Sequence, residues 1–205
     1  MITSLSVSDL QYLKDLWDRS EHKPYHTGGK VRVGDLITTV FHPELEQFVR
    51  DKFEITGPVG GQLARIDRAL SVHADVLFDL KIQHFTQQVP SRTQYVVIDT
   101  DAKEPMYTIL FEELVNRETW TGFKDGTGAI IDYDETKPTV REQFFDYQID
   151  HFLPKVRDLH IGFKTTLPLE IGEVVKWRSD RLHAGCSFSE CDATYKLHLT
   201  VLTHE

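Results

Sequence analysis

The sequence predicts a mainly β fold, a jelly-roll barrel with flanking helices, and three observations support this prediction. Short runs rich in β-branched and aromatic residues follow one another beyond about residue 62, with turn residues between them. The last run, residues 195–203, alternates apolar and polar side chains as strands do. Before residue 57, apolar residues recur at a helical spacing instead. Short strands combined with helices are typical of a barrel that helices buttress.

Composition indicates one globular domain over residues 1–205. Of the 205 residues, 40% are hydrophobic and 27% are charged, which is enough to bury a core. No apolar run approaches the ~20 residues of a bilayer span, and the N-terminus lacks a secretory pattern, so we expect no membrane segment. Two cysteines are too few for a disulfide framework, and a cytoplasmic location is the default expectation. The net charge of −9 makes duplex nucleic acid an improbable partner.

Residues 1–56 are expected to form a helical N-terminal buttress. Ser8 and Gln11 fit a capping box at the start of a first helix. A second helix is predicted to begin near Pro43, because proline suits the first helical turn. The run of glycine and proline at residues 57–61 would end it.

Five runs beyond the second helix are predicted as strands: residues 69–73, 94–100, 107–111, 172–177 and 195–203. The alternation in the last of them predicts a strand with one buried face. An amphipathic helix is expected over about residues 140–156. It lies in an insert of about residues 115–160, whose turn-rich part is typical of segments that cover active sites.

The tripeptide His73-Ala74-Asp75 is the sharpest local feature. Residues two apart in a strand point to the same side, so this pair would direct an imidazole and a carboxylate at one point. These are two of the three ligands of a 2-His-1-carboxylate metal centre, which leaves coordination positions open. Composition alone predicts about one such pair by chance, so a surface histidine beside an acid is the alternative.

A second histidine ligand would come from a distant strand, and His183 is the candidate. The small residues Ala184 and Gly185 leave room beside its imidazole. Lys196 follows on the alternating last strand, where its ammonium could bind the far carboxylate of an acid that chelates the metal. The alternative for Lys196 is a solvated lysine on an exposed strand face.

The order of these segments resembles the Fe(II)- and 2-oxoglutarate-dependent oxygenases. The resemblance rests on HAD at 73–75, QYVVIDT at 94–100, YTILFEE at 107–113, GEVVKWRSDRLHAG at 172–185 and YKLHLTVLT at 195–203. It is nearest to the small phage and marine bacterial type, which resembles prolyl-hydroxylase-like and phytanoyl-CoA-dioxygenase-like members. It covers about residues 62–203.

The resemblance implies a double-stranded β-helix, which is the cupin-like form of the jelly roll. It implies that His73, Asp75 and His183 bind Fe(II) and that Lys196 binds the C5 carboxylate of 2-oxoglutarate. Tyr95 either directs its hydroxyl to the same carboxylate or is an aromatic residue of the sheet core.

The activity that this family implies is hydroxylation of a C–H bond, with O₂ and 2-oxoglutarate consumed and succinate and CO₂ released. The substrate would be a small molecule or a side chain, and Arg181 is a candidate for binding it, with a surface ion pair as the alternative.

One rival hypothesis is a cupin-like metal-binding barrel, an isomerase or ligand-binding module, without O₂ chemistry. Another is a structural jelly roll with an accidental H-x-D. We expect Cys186 and Cys191 to be an ordinary thiol pair. We expect His198 to lie at the surface, with a place in the lining of the pocket as the alternative.

Overall fold

The computed structural model describes residues 2–27, 31–68, 75, 92–112, 162–179 and 183–204. Two helices and nine strands lie in this part of the chain, in the following order: α1 (Val7–Arg19), β1 (Lys23–Thr27), β2 (Val31–Thr38), α2 (Pro43–Phe53), β3 (Val59–Ile66), β4 (Arg92–Thr100), β5 (Tyr107–Glu112), β6 (Gly162–Pro168), β7 (Val174–Arg178), β8 (His183–Gly185) and β9 (Lys196–Thr203).

The described strands form two antiparallel sheets. The larger has six strands in the order β1-β2-β3-β9-β4-β7, and the smaller has three in the order β6-β5-β8. One apolar core lies between the helices and the larger sheet, and it includes Leu13 of α1, Val49 of α2 and Leu199 of β9. A second core lies between the two sheets and includes Tyr95 and Leu110. The larger sheet is therefore covered on both faces.

Strand β9 occupies the centre of this arrangement, between β3 and β4. All eight of its residues are buried. The prediction of a single buried face for this strand is therefore wrong. The apolar face packs on the helices, and the polar face, which carries Lys196 and His198, faces the space between the sheets.

The residues at the N-termini of the two helices explain where each helix begins. Helix α2 starts at Pro43, as predicted. Helix α1 is capped by Ser6, whose backbone N–H donates to the Asp9 carboxylate at 2.9 Å while its hydroxyl accepts the Asp9 N–H at 3.2 Å. The predicted capping box at Ser8 and Gln11 is thus two residues too late. An anionic acceptor in the first turn is favoured by the positive end of the helix dipole.

The expectation that residues 1–56 are helical is wrong for the segment between the helices. Strands β1 and β2 form a hairpin there, and β2 pairs with β3 at the edge of the larger sheet. Strand β3 includes glycines that the sequence suggested were only a helix stop. A Cβ at Gly61 would lie 2.9 Å from the Thr39 side chain and 3.7 Å from Val49, so this glycine permits α2 to pack closely on the sheet.

Several predicted elements lie outside the described residues: the strand at 69–73, the helix at 140–156 and the insert at 115–160. Strand β6, which the sequence analysis did not predict, pairs with β5 in the smaller sheet. Within the described ranges, no helix has the length and apolar character needed to cross a bilayer.

Candidate active site

A cavity lined mainly by polar and aromatic residues lies between the two sheets. Its lining comes from strands β1, β3, β4, β5, β7, β8 and β9 together with Asp75: Tyr25, Gln62, Ile66, Asp75, Tyr95, Thr108, Trp177, His183, Gly185, Lys196, His198 and Thr200. Four of the predicted site residues, Asp75, Tyr95, His183 and Lys196, are thus brought together. Such a concave site with a few convergent polar groups is typical of ligand pockets.

Asp75 and His183 face each other in this cavity, and each side chain is only 7% exposed. The Asp75 Oδ1 and His183 Nε2 atoms are 3.6 Å apart, too far for a hydrogen bond. Two donor atoms that each lie about 2.1 Å from one ion are about 3.0 Å apart at a right angle and about 3.4 Å apart at a tetrahedral angle. The pair is therefore spaced almost as two ligands of one metal ion would be.

The second oxygen of Asp75 is held by two donors. The Thr93 hydroxyl donates to Oδ2 at 2.5 Å, and the Trp177 indole N–H donates to the same oxygen at 3.0 Å. Thr93 and Trp177 are direct partners across β4 and β7. The backbone N–H of Asp75 donates to the Ser179 carbonyl at 2.9 Å. These contacts leave Oδ1 as the oxygen that faces His183.

Lys196 is a buried cation, with 3% of the residue exposed. Its Nζ lies 5.3 Å from the Tyr95 ring centre and 6.0 Å from that of Phe188. Among the described residues, no carboxylate or hydrogen-bond acceptor contacts this ammonium. Burial lowers the pKa of Lys196, while the nearby thiols of Cys186 and Cys191 act in the opposite direction. The alternative of a solvated lysine on an exposed strand is therefore wrong.

Tyr95 and His198 form the wall beside Lys196. Their rings stack with centres 4.8 Å apart, and both side chains are buried. The expectation that His198 lies at the surface is wrong, because β9 is covered on both faces. Tyr95 belongs to the core between the sheets and also lines the cavity, so both alternatives for it have support. Burial raises the pKa of Tyr95, so its hydroxyl stays protonated and can donate a hydrogen bond.

The sequence analysis missed several polar or indole side chains of this region, among them Thr93, Trp177, Tyr25 and Gln62. Thr93 shares a strand face with Tyr95, so a strict reading of the alternation in β4 would have found it. Tyr25 lies in the hairpin that was predicted as helix. Its hydroxyl accepts a hydrogen bond from the Gln62 amide at 3.3 Å.

Two predicted residues, His73 and Arg181, lie outside the described residues. Within the described part of the chain, no group of three His, Cys, Asp or Glu side chains could hold a metal ion. The described part of the predicted centre is therefore the pair Asp75 and His183. Cys186 and Cys191 are free and buried, with sulfurs 3.1 Å apart.

No family model and no curated protein sequence matches the chain. Solved structures do match. HygX from Streptomyces hygroscopicus, with nickel, 2-oxoglutarate and hygromycin B bound, aligns with a TM-score of 0.53 at 10% identity, over 100% of this chain and 81% of that one. The non-haem alpha-ketoglutarate-dependent carbocyclase SnoK, from nogalamycin biosynthesis, aligns with a TM-score of 0.52 at 12% identity, over 97% and 76%.

EvdO2 from Micromonospora carbonacea var. aurantiaca, complexed with 2-oxoglutarate, aligns with a TM-score of 0.51 at 12% identity, over 99% of this chain and 84% of that one. The chain shares the fold of these three proteins. The predicted fold class, a mainly β double-stranded β-helix with flanking helices, is confirmed. At 10–12% identity the likeness concerns the fold. The phage and marine bacterial subtype stays a prediction.

Proposed function

We propose that this protein is an Fe(II)- and 2-oxoglutarate-dependent dioxygenase that hydroxylates a C–H bond and releases succinate and CO₂. The observation that carries the proposal is the buried ammonium of Lys196. It lines the same cavity as Asp75 and His183, and no described carboxylate pairs with it. A dicarboxylate could therefore bind a metal ion at one end and the Lys196 ammonium at the other.

In this proposal the metal would be held by Asp75, His183 and His73. The spacing of Asp75 Oδ1 and His183 Nε2 supports the first two roles, and the H-x-D pattern supports the third. Two imidazoles and one carboxylate suit Fe(II) and leave positions open. When bound, iron of this kind supplies the oxidising chemistry that couples O₂ to 2-oxoglutarate. Asp75 would hold its place in the centre through the donors on Oδ2.

Lys196 would bind the C5 carboxylate of 2-oxoglutarate. A buried charge without a partner is costly, and a carboxylate ligand would offset that cost with a charge-assisted hydrogen bond. The Tyr95 hydroxyl makes no hydrogen bond within the described residues and would donate to the same carboxylate. Neither group has an evident task in a cupin-like barrel that binds only a metal, which is why that alternative is less well supported.

The carboxylate of Asp75 favours hydroxylation over halogenation, because a small residue at this position would open a site for halide. SnoK is a carbocyclase, so this fold also carries reactions other than hydroxylation. HygX and EvdO2 bind 2-oxoglutarate, and HygX also binds hygromycin B. A small molecule is therefore the better supported substrate class, and Arg181 keeps its predicted role in binding it.

The test is an anaerobic titration of the metal-free protein with Fe(II) and then 2-oxoglutarate, followed by visible absorption. We expect the weak charge-transfer band of a chelated 2-oxo acid in the wild type and a much weaker band in Lys196→Ala at equal ligand concentration. Lys103→Ala is the matched control, since Lys103 is exposed and pairs with Asp192. Metal binding without a band would favour the cupin-like alternative, and no metal binding would refute both.

A further inference from the structure

Two donors converge on one oxygen of Asp75. The Thr93 hydroxyl and the Trp177 indole N–H both reach Oδ2, at 2.5 Å and 3.0 Å. Thr93 is fully buried and Trp177 is 7% exposed. Because the two residues are direct partners across β4 and β7, the antiparallel register itself places both donors. Their separation in the chain hides this pair from sequence analysis.

The contacts determine the direction of the carboxylate. A carboxylate rotates about its Cβ–Cγ bond, and two donors on the same oxygen fix that rotation. With Oδ2 held, Oδ1 points at His183 Nε2 across 3.6 Å. The ring of Trp177 also contacts the imidazole of His183, with ring centres 4.9 Å apart. One side chain therefore orders both described members of the candidate centre.

We infer that Thr93 and Trp177 are positioning residues that present Asp75 to a metal ion through Oδ1 alone. This inference rests on the proposed function, since it needs a metal at Asp75 and His183. Binding through one oxygen would keep the opposite coordination positions available for a chelating 2-oxo acid. Outer hydrogen bonds of this kind raise metal affinity because they order the ligand before the metal arrives.

The test measures metal affinity and needs no turnover. Free and bound Mn(II) are distinguished by electron paramagnetic resonance in titrations of the whole protein. Thr93→Val removes the hydroxyl with little change of shape, and Trp177→Phe removes the indole N–H and keeps an aromatic ring. We expect each to weaken Mn(II) binding about tenfold or more, within the range known for outer-shell partners. Thr93→Ser, which retains the hydroxyl, should bind Mn(II) like the wild type.

Two controls separate positioning from loss of packing. Thr38 is buried on β2 with no hydrogen-bond partner for its hydroxyl in the described residues, so Thr38→Val is the match for Thr93→Val. Trp17 is 7% exposed on α1 and lies away from the cavity, so Trp17→Phe is the match for Trp177→Phe. Both controls should bind Mn(II) like the wild type.

Site variants that stay within threefold of the wild type, or that lose no more affinity than their controls, would overturn the inference. A wild type that binds no Mn(II) would instead refute the proposed function.

Discussion

The ammonium of Lys196 lies 5.3 Å from the centre of the Tyr95 ring, inside the barrel. An aromatic face stabilises a cation, but less than a carboxylate does. Within the described ranges, the rings of Tyr95 and Phe188 lie within 6.0 Å of this ammonium and compensate its charge in part. The ligand-free protein therefore holds a charge that the fold only partly stabilises, and this condition has measurable consequences.

Replacement of Lys196 by methionine should stabilise the ligand-free protein. Methionine fills a similar volume without a buried charge, and exchanges of buried charges for apolar residues stabilise by up to a few kcal/mol. We expect the free energy of unfolding to rise by about 1–3 kcal/mol in urea denaturation. The same variant should lose 2-oxoglutarate binding.

Lys103→Met is the control for that exchange, because Lys103 is a solvated partner of Asp192. Its melting temperature should stay near that of the wild type. A destabilised Lys196→Met would show that the ammonium has a strong partner already, and the argument for an anion site would lose its basis.

Affinity for 2-oxoglutarate should fall as the pH rises. Burial lowers the pKa of Lys196 from its ordinary value of 10.5, so the ammonium that a dicarboxylate needs is lost below that value. The stability of the ligand-free fold should change in the opposite sense. The unfolded chain holds more protons between the two pKa values, so the stability penalty of Lys196 is complete below the folded pKa and decreases as the pH rises from the folded pKa to the unfolded value of 10.5.

The measurement is the dissociation constant of 2-oxoglutarate on the Mn(II)-loaded protein at several pH values above neutrality. Lys196→Arg is the informative comparison, because a guanidinium stays charged throughout this range. Its affinity should be independent of pH where that of the wild type declines. A parallel decline in both proteins would assign the effect to another group.

The ring and the hydroxyl of Tyr95 should have separable roles. Tyr95→Phe keeps the stacking on His198 and removes only the hydroxyl, so we expect about tenfold weaker 2-oxoglutarate binding and a nearly unchanged melting temperature. Tyr95→Ala removes a ring that is 8% exposed and should cost about 3–5 kcal/mol of stability, as for other large aromatic residues. Equal binding by wild type and Tyr95→Phe would leave the residue a purely structural role.

The thiols of Cys186 and Cys191 should be inert in the folded protein. Burial and the neighbouring thiol raise the pKa of Cys191 to about 12, and both residues are 1% exposed. The thiolate is the reactive form, so a coloured disulfide reagent should label neither cysteine until urea unfolds the chain. Fast labelling of the native protein would contradict the buried thiol pair.

Local patterns were sufficient for much of the fold. The start of α2 at Pro43 and four of the strands follow from residue spacing and turn chemistry, because these act within a few neighbouring residues. Patterning failed for β1, β2 and β3. These segments are strands because they pair with β9 and its neighbours. The glycines of β3 suggest the end of a helix, and only the packing of α2 on the sheet explains them as part of a strand.

For the candidate site too, some residues could be predicted from the sequence and others only from the tertiary structure. Residue types and order in the sequence are what point to Asp75, His183, Lys196 and Tyr95, since a carboxylate, an imidazole and a cation are chemically suited to a metal and an acid. Tertiary structure alone decided that Lys196 and His198 are buried. The alternation of apolar and polar residues in a strand is the same whether its polar face is solvated or lines a cavity. Here the second sheet covers the polar face, and this packing is visible only in the tertiary structure. The Thr93–Trp177 pair was decided by sheet register, which joins residues that no local pattern connects.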